Sequence, residues 1–349
     1  MSGGTLGILY AADDGYAPFL GVSMLSLFES NRDVERIRVY AVLDNVNGEN
    51  ISKLREVADH YGRELVIVEA AALNRQLETL GIPMYRGNYA TNYRLFFHSI
   101  IDDDVDCLIY LDCDTLVLGN VDSLARSLTG GIPAAVVMDS LSRKYKGILG
   151  FPPEVPYFNA GVLVIDTAEW KKQKVTESIF EHAGSVRSAY CNPDQDLLNI
   201  ALRGKIKILG PEYNFQPVHR AYSDLAYQKV YGFENYYLPE QVESARKDPV
   251  ILHTYRFLGQ FPWHKDNLHP DTNIFDSYLV RSPWKDYQKQ ITKCCSLCFK
   301  IERFLYTILP KTWFLRLFAF MQERSFRLQD AEIRQGLSSG QVLLSPCAS

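Results

Sequence analysis

The chain has 349 residues and a formal charge of −4. That length holds one large α/β domain with an extension, or two domains. The charge excludes a general affinity for nucleic acid, and no apolar run approaches the ~18 residues of a membrane span. The charge is uneven: Arg281–Arg327 holds ten Lys/Arg against three Asp/Glu, which leaves the remainder at −11. The pattern is that of a basic appendage on an acidic body. Met1–Leu6 lacks the basic-then-apolar pattern of a secretory signal. The seven cysteines therefore read as reduced thiols in a cytoplasmic protein. Cys294, Cys295 and Cys298 lie together but have no evident fourth ligand for zinc.

In chain order, Thr5–Ala12 reads as a strand ending in Asp13-Asp14. A helix follows over Ala17–Ser30, then a strand over Ile37–Leu43. Asn47–Tyr61 is an amphipathic helix, and Glu64–Glu69 a third strand. An irregular stretch with Pro83 and Gly87 leads to a helix at about Thr91–Ile101. The fourth strand, Cys107–Leu111, is apolar throughout, as expected of a strand buried on both faces. Pro133–Met138 is a further strand, followed by a basic loop with Arg143, Lys144 and Lys146. Phe158–Ile165 is another buried strand. Helices over Ala168–Ala183 and Asp194–Arg203 and short strands at Ile206–Leu209 and Val250–His253 complete the body. Alternating strands and helices predict a mostly parallel sheet with helices on both faces.

The fourth strand ends in Asp112-Cys113-Asp114. Two carboxylates beside a buried strand end need a cation or hydrogen bonds to offset lost hydration. A hard divalent ion such as Mg²⁺ or Mn²⁺ meets that need and bridges to substrate phosphates. In an open sheet of order 3-2-1-4, ligands bind beyond the carboxyl ends of strands one and four. Asp13-Asp14 and Asp112-Cys113-Asp114 should therefore face one crevice. The turn after strand one lacks Gly-x-Gly-x-x-Gly, and no Gly-x-x-x-x-Gly-Lys-Ser/Thr occurs, so neither a dinucleotide fingerprint nor a P-loop is present. Screening of phosphates by a metal suits transfer from a nucleoside diphosphate compound.

Six stretches together resemble glycosyltransferase family 8. They are ILYAADDGYA (8–17), NYRL (92–95), LIYLDCDTLVLGNVDSL (108–124), YFNAGVLVID (157–166), DQDLLN (194–199) and ILHTYRFLGQFPW (251–263). The pattern is close to bacterial lipopolysaccharide galactosyl- and glucosyltransferases and more distant from glycogenin. The resemblance implies a GT-A-type, Rossmann-like catalytic domain over 1–270, with 271–349 as a helical basic and aromatic extension. It implies a retaining hexosyltransferase that moves galactose or glucose from a UDP-hexose to a glycan such as a lipopolysaccharide core. It also implies Mn²⁺, with Mg²⁺ as the alternative, held by Asp112, Asp114 and His253. Ala11, Asp13, Tyr16 and Cys113 would line the nucleotide, Asp13 accepting from uracil and Tyr16 stacking on it. Asn159 and Gly161 would line the sugar pocket, and Asp139 would contact the acceptor or the donor. Arg94 would hold Asp112 or the donor sugar, Asp194 would bind sugar hydroxyls, and Gln195 would face the anomeric carbon opposite the leaving group. Asp196 would be the nucleophile of an alternative, covalent mechanism. Phe261 stands where the family has a diphosphate-binding Lys, so Arg256, Lys265 or the basic loop at 143–146 would replace it.

The segment 284–326 interleaves aromatic and basic residues. It reads as two amphipathic helices, divided by Pro310, lying on an anionic membrane surface and suiting a lipid-linked acceptor. Gln329–Ser349 reads as weakly ordered. Two other functions fit the same sequence: a protein- or self-glycosylating transferase, and a non-catalytic nucleotide-sugar-binding protein.

Overall fold

The computed structural model describes residues 5–339 except 83, 86, 141–142, 186–191, 234 and 293–295. Among the described residues nine strands form two sheets. They are β1 (Leu6–Asp13), β2 (Ile37–Asp44), β3 (Glu64–Glu69), β4 (Cys107–Leu111), β5 (Thr115–Val117), β6 (Ala134–Met138), β7 (Phe158–Asp166), β8 (Ile206–Ile208) and β9 (Ile251–His253). The large sheet has the order β3-β2-β1-β4-β7-β6-β8, and β5 pairs with β9 in a small second sheet. Strands β1 to β4 are parallel, whereas β7 runs antiparallel to both β4 and β6. The predicted 3-2-1-4 order is present, so β1 and β4 end side by side at the switch point.

Alternation along β1 explains the two cores. Ile8, Tyr10 and Ala12 face one apolar layer, and Leu9 and Ala11 the other. The helix Ala17–Ser30 is apolar on nearly all sides because it is enclosed on nearly all sides. Trp284 covers Gly21 so closely that a Cβ there would lie 2.0 Å from the indole. Phe275, Leu279 and Trp284 belong to the main core, so packing is continuous across residue 270. Trp284, expected in a membrane-surface segment, is instead buried in the body.

Several elements differ from the sequence reading. Ala71–Leu80 is an additional helix, closed by Gly81 in the left-handed region at φ 68°. Ala90–Ser99 is helical as expected but of the 3₁₀ type. The basic stretch forms a helix, Arg143–Ile148, rather than a loop. Helix 168–183 is broken at Lys174, where φ is 51°. Pro310 separates the helices Leu297–Ile308 and Lys311–Ser339, and the rest of the stretch expected to be weakly ordered, 340–349, lies outside the described residues. Cys294 and Cys295 lie outside the described residues. No helix among the described residues is long and apolar enough to cross a membrane.

Candidate active site

Parallel register places Leu9 beside Tyr110, so the chain ends of β1 and β4 emerge together. The Cys113 thiol donates to the Ala11 carbonyl at 3.0 Å and joins the two ends, and burial pushes its pKa up. On the far side of β4, β7 carries a register shift opposite Val136 and Val137. Such an irregularity re-aims side chains. Here it leaves Ala160, Gly161 and Val162 without partners on β6, while Asn159 stays paired with Val137, and Asn159 and Gly161 both line the crevice.

Arg94 is buried at the centre, reaching in from the 3₁₀ helix. Its Nη2 donates to Asp112 Oδ1 at 2.8 Å, its Nε lies 3.2 Å from Asp194 Oδ2, and its Nη1 donates to the Ala160 carbonyl. The guanidinium lies 4.1 Å over the Tyr110 ring. Burial opposes its charge, but Asp112, Tyr110 and Asp194 outweigh burial and hold it on. Burial is also the main cause of a raised Asp194 pKa, against the pull of Arg94.

Asp112 Oδ1 also accepts from the Tyr110 hydroxyl at 2.7 Å. Oδ2 lies 3.6 Å from His253 Nε2, and Asp114 Oδ1 lies 3.2 Å from the same nitrogen. On the other side of the ring, Nδ1 donates to Asn214 Oδ1 at 2.9 Å, which leaves Nε2 as the nitrogen that faces the carboxylates. Burial lowers the imidazole pKa, but Asp114 and then Asp112 raise it by more.

Asp112, Asp114 and His253 offer three ligand atoms within 4.8 Å of one another. Two carboxylate oxygens and one imidazole nitrogen suit a divalent ion of the Mn²⁺ type. Gly161 forms the wall beside them. A Cβ there would lie 2.1 Å from His253 Cε1 and 2.8 Å from Asp112 Oδ2, so the cradle needs glycine. The residues present thus fit a divalent cation.

A cavity of about 680 Å³ opens over this cluster. Every residue given a metal, nucleotide, sugar or catalytic role from the sequence lines it except Asp196, the diphosphate candidates being considered below. Asp13 Oδ1 accepts from the Tyr16 amide at 3.0 Å, and Oδ2 from Asn88 Nδ2 at 2.9 Å. Asp14 serves the fold instead, accepting from the Asn47 amide where the second helix begins. Tyr16 meets Phe261 and Trp263 edge-on. Gln195 Oε1 accepts from the Ala160 amide at 2.9 Å, while its Nε2 donates to Asp139 and to the Tyr157 hydroxyl. Asp139 also accepts from Asn159.

Asp196 corrects one expectation. It is fully buried, and its two oxygens accept from the Tyr145 and Tyr157 hydroxyls at 2.6 Å each. Burial pushes its pKa up to about 7. A carboxylate so enclosed has no route to a sugar carbon. The diphosphate candidates are also narrowed. Lys265 is exposed and lies off the cavity, and Lys146 donates to the carbonyls of Pro153 and Val155. Arg256 lines the cavity. The side chains of Arg143 and Lys144 lie outside those described.

The sequence reading missed Tyr110, Asn214 and Tyr157. Tyr110 was within reach, since a residue two before Asp112 shares its face of the strand. Asn214 and Tyr157 act across 39 residues each, and no local spacing marks them.

Residues 7–267 match the family model described as "Glycosyl transferase family 8". The chain belongs to this family. It is therefore a glycosyltransferase, and of the retaining, hexose-transferring kind. Among its relatives is a lipopolysaccharide 1,2-glucosyltransferase of Escherichia coli K12. That protein is 28% identical over 285 residues, covering 80% of this chain and 79% of the relative. A lipopolysaccharide 1,3-galactosyltransferase of Salmonella typhimurium is 24% identical over 79% of this chain and 78% of its own. The galactosyltransferase LgtC, solved with donor and acceptor sugar analogues, shares the fold with a TM-score of 0.63. It is 23% identical, and the match covers 79% of this chain and 96% of LgtC. A family 8 enzyme uses a nucleotide-sugar donor and a glycan acceptor, and Asp112, Asp114 and His253 are its candidate metal group here.

Proposed function

We propose that this enzyme moves a hexose, galactose or glucose, from a UDP-hexose to a hydroxyl of a lipopolysaccharide core oligosaccharide, with retention. The observation that carries the reading is the Asp112–Asp114–His253 group set beside Arg94, Asp194 and Gln195 in one cavity at the ends of β1 and β4. The E. coli and Salmonella relatives, both lipopolysaccharide hexosyltransferases, support the acceptor class. Asp112, Asp114 and His253 would hold Mn²⁺, which would supply Lewis-acid stabilisation of the leaving diphosphate.

The protein's own residues do the rest. Asp13 accepts from the uracil imide, and Tyr16 packs against the base with Phe261 behind it. Arg256 takes the diphosphate contact that a Lys makes elsewhere in the family. Asp194, oriented by Arg94, binds hydroxyls of the donor sugar. Gln195 is held by three hydrogen bonds, so its amide stays fixed beside the anomeric carbon. The enclosure of Asp196 favours a front-face path over a covalent one. In that path the acceptor oxygen bonds to C1 as the C1–phosphate bond breaks on the same face. The acceptor proton passes to the departing β-phosphate oxygen.

The C-terminal helices leave Trp313 68% and Phe320 65% exposed among basic residues. That composition supports peripheral attachment to an anionic membrane surface, on the cytoplasmic side, where a lipid-linked acceptor would lie.

The decisive experiment is calorimetric titration of UDP with and without Mn²⁺, together with UDP-hexose turnover. Asp112→Asn combined with Asp114→Asn should abolish the Mn²⁺-dependent part of UDP binding and reduce turnover by at least a thousandfold. Unchanged Mn²⁺-dependent binding in that double variant would remove the site assignment.

A further inference from the structure

The cavity has two unlike ends. One is the charged end at Asp112, Asp194 and His253. The other is aromatic and apolar, and part of its wall comes from beyond the region matched by the family model, which ends at residue 267. Leu315, Phe318 and Gln322 of the helix Lys311–Ser339 line the cavity, facing Tyr222, Tyr231 and Leu258 of the body. Spacings of three and four residues put 315, 318 and 322 on a single face of the helix.

This wall is firmly built. Leu315 is buried, and Phe314 and Ala319 join Tyr222, Tyr227 and Tyr231 in a third apolar cluster. Phe314 and Phe318 stack with centroids 5.9 Å apart. The preceding helix, Leu297–Ile308, braces the same end. Its Phe299 lies against Gly259, where a Cβ would be 3.0 Å from the ring, and Arg303 Nη2 donates to the Asp266 carbonyl at 2.5 Å. Gly259 in turn offers its carbonyl to Arg256. The extension therefore both walls the cavity and steadies the loop that carries Arg256.

We propose that the C-terminal helix forms part of the acceptor subsite, and that Phe318 and Gln322 are specificity-determining residues for an oligosaccharide acceptor. The proposal rests on the transferase reading given above. Tyrosine and phenylalanine faces suit the C–H faces of sugar rings, since both surfaces are apolar in the middle and polar at the edge. Gln322 provides a donor and an acceptor for hydroxyl groups. The opposite stripe of the same helix carries Trp313, Leu317 and Phe320, all exposed. The helix that walls the acceptor end thus bears the membrane-facing side chains on its other face. A lipid-borne acceptor would reach the cavity along it.

The test uses the full chain loaded with Mn²⁺ and UDP, titrated with deacylated rough-type lipopolysaccharide core oligosaccharide. Phe318→Ala and Gln322→Ala should each weaken oligosaccharide affinity about tenfold while UDP affinity stays within twofold. Trp313→Ala combined with Phe320→Ala should leave the affinity for this lipid-free probe unchanged. If the wild type binds oligosaccharide and neither cavity-side variant weakens it, the helix is not part of the subsite and the inference fails alone. Equal losses of UDP and oligosaccharide affinity would mean a general collapse of the cavity and also overturn it. If UDP binds but the oligosaccharide does not, both the acceptor class and the subsite are wrong. Absence of Mn²⁺-dependent UDP binding in the wild type marks instead a failure of the donor reading.

Discussion

His253 and Asp112 each use one polar atom for the metal group and another for aim. The His253 ring is fixed by Asn214, and the Asp112 carboxylate by Arg94 and Tyr110. Such outer contacts set ligand orientation and basicity. Asp196 shows the opposite use of a buried carboxylate, as an internal post for Tyr145 and Tyr157. Its raised pKa has a consequence for stability. Below pH 3.8 the group is protonated in both folded and unfolded chains. Between 3.8 and about 7 the unfolded chain ionises while the folded one stays protonated. The stability this group contributes is therefore present at low pH and lost as pH rises, by about 1.4 kcal/mol per unit across that window. Asp196→Asn removes the ionisation. Its stability relative to wild type should rise by a few kcal/mol from pH 4.5 to pH 7.5 in urea unfolding. A difference that stays constant with pH would show that Asp196 is ionised throughout.

Trp284 tests where the body ends. The indole fills the space left by Gly21 on the Ala17–Ser30 helix, and its Nε1 donates to Asn50 at 2.8 Å. Trp284→Ala should cost roughly 3–5 kcal/mol, read as a lower urea midpoint, because the cavity it leaves lies between two rigid helices. A loss below about 1 kcal/mol would place Trp284 in the appendage after all. The sheet itself was legible because each long strand carries its own apolar run, and parallel order follows from the alternation of strands and helices. The helix Ala71–Leu80 carries Leu73, Leu77 and Leu80 on one stripe before Gly81, a local signal close to the breakers Pro83 and Gly87. Strand β5 was not, since three residues acquire a strand identity only by pairing with β9, more than 130 residues later. In the same way Asp112, Asp114 and His253 were visible as motifs. The β7 irregularity that sets Gly161 beside them depends on β6 and left no local trace.

The whole molecule joins an acidic body to a basic, aromatic terminus, and its two C-terminal helices are not a free appendage. Phe299, Phe314 and Leu315 are buried against the body, while Phe304, Ile308, Trp313 and Phe320 remain exposed. Burial of one stripe fixes which stripe is left to face outward. If this face meets a membrane, as proposed, the basic residues between the exposed aromatic ones would add attraction to anionic lipid, worth about 1 kcal/mol per Lys or Arg near the surface and screened by salt. Vesicles containing 30% phosphatidylserine (by design, roughly the charge density at which such attraction is expected) should bind the full chain. Raising salt from about 0.1 to 0.5 M should weaken that binding, because the Debye length contracts. Trp313→Ala with Phe320→Ala should reduce partitioning at least tenfold at low salt, since two large apolar side chains no longer enter the interface. The measurement is co-sedimentation with vesicles at both salt concentrations. Binding to neutral vesicles equal to that on anionic ones, or partitioning indifferent to the double substitution, would mean that this face meets something other than a membrane.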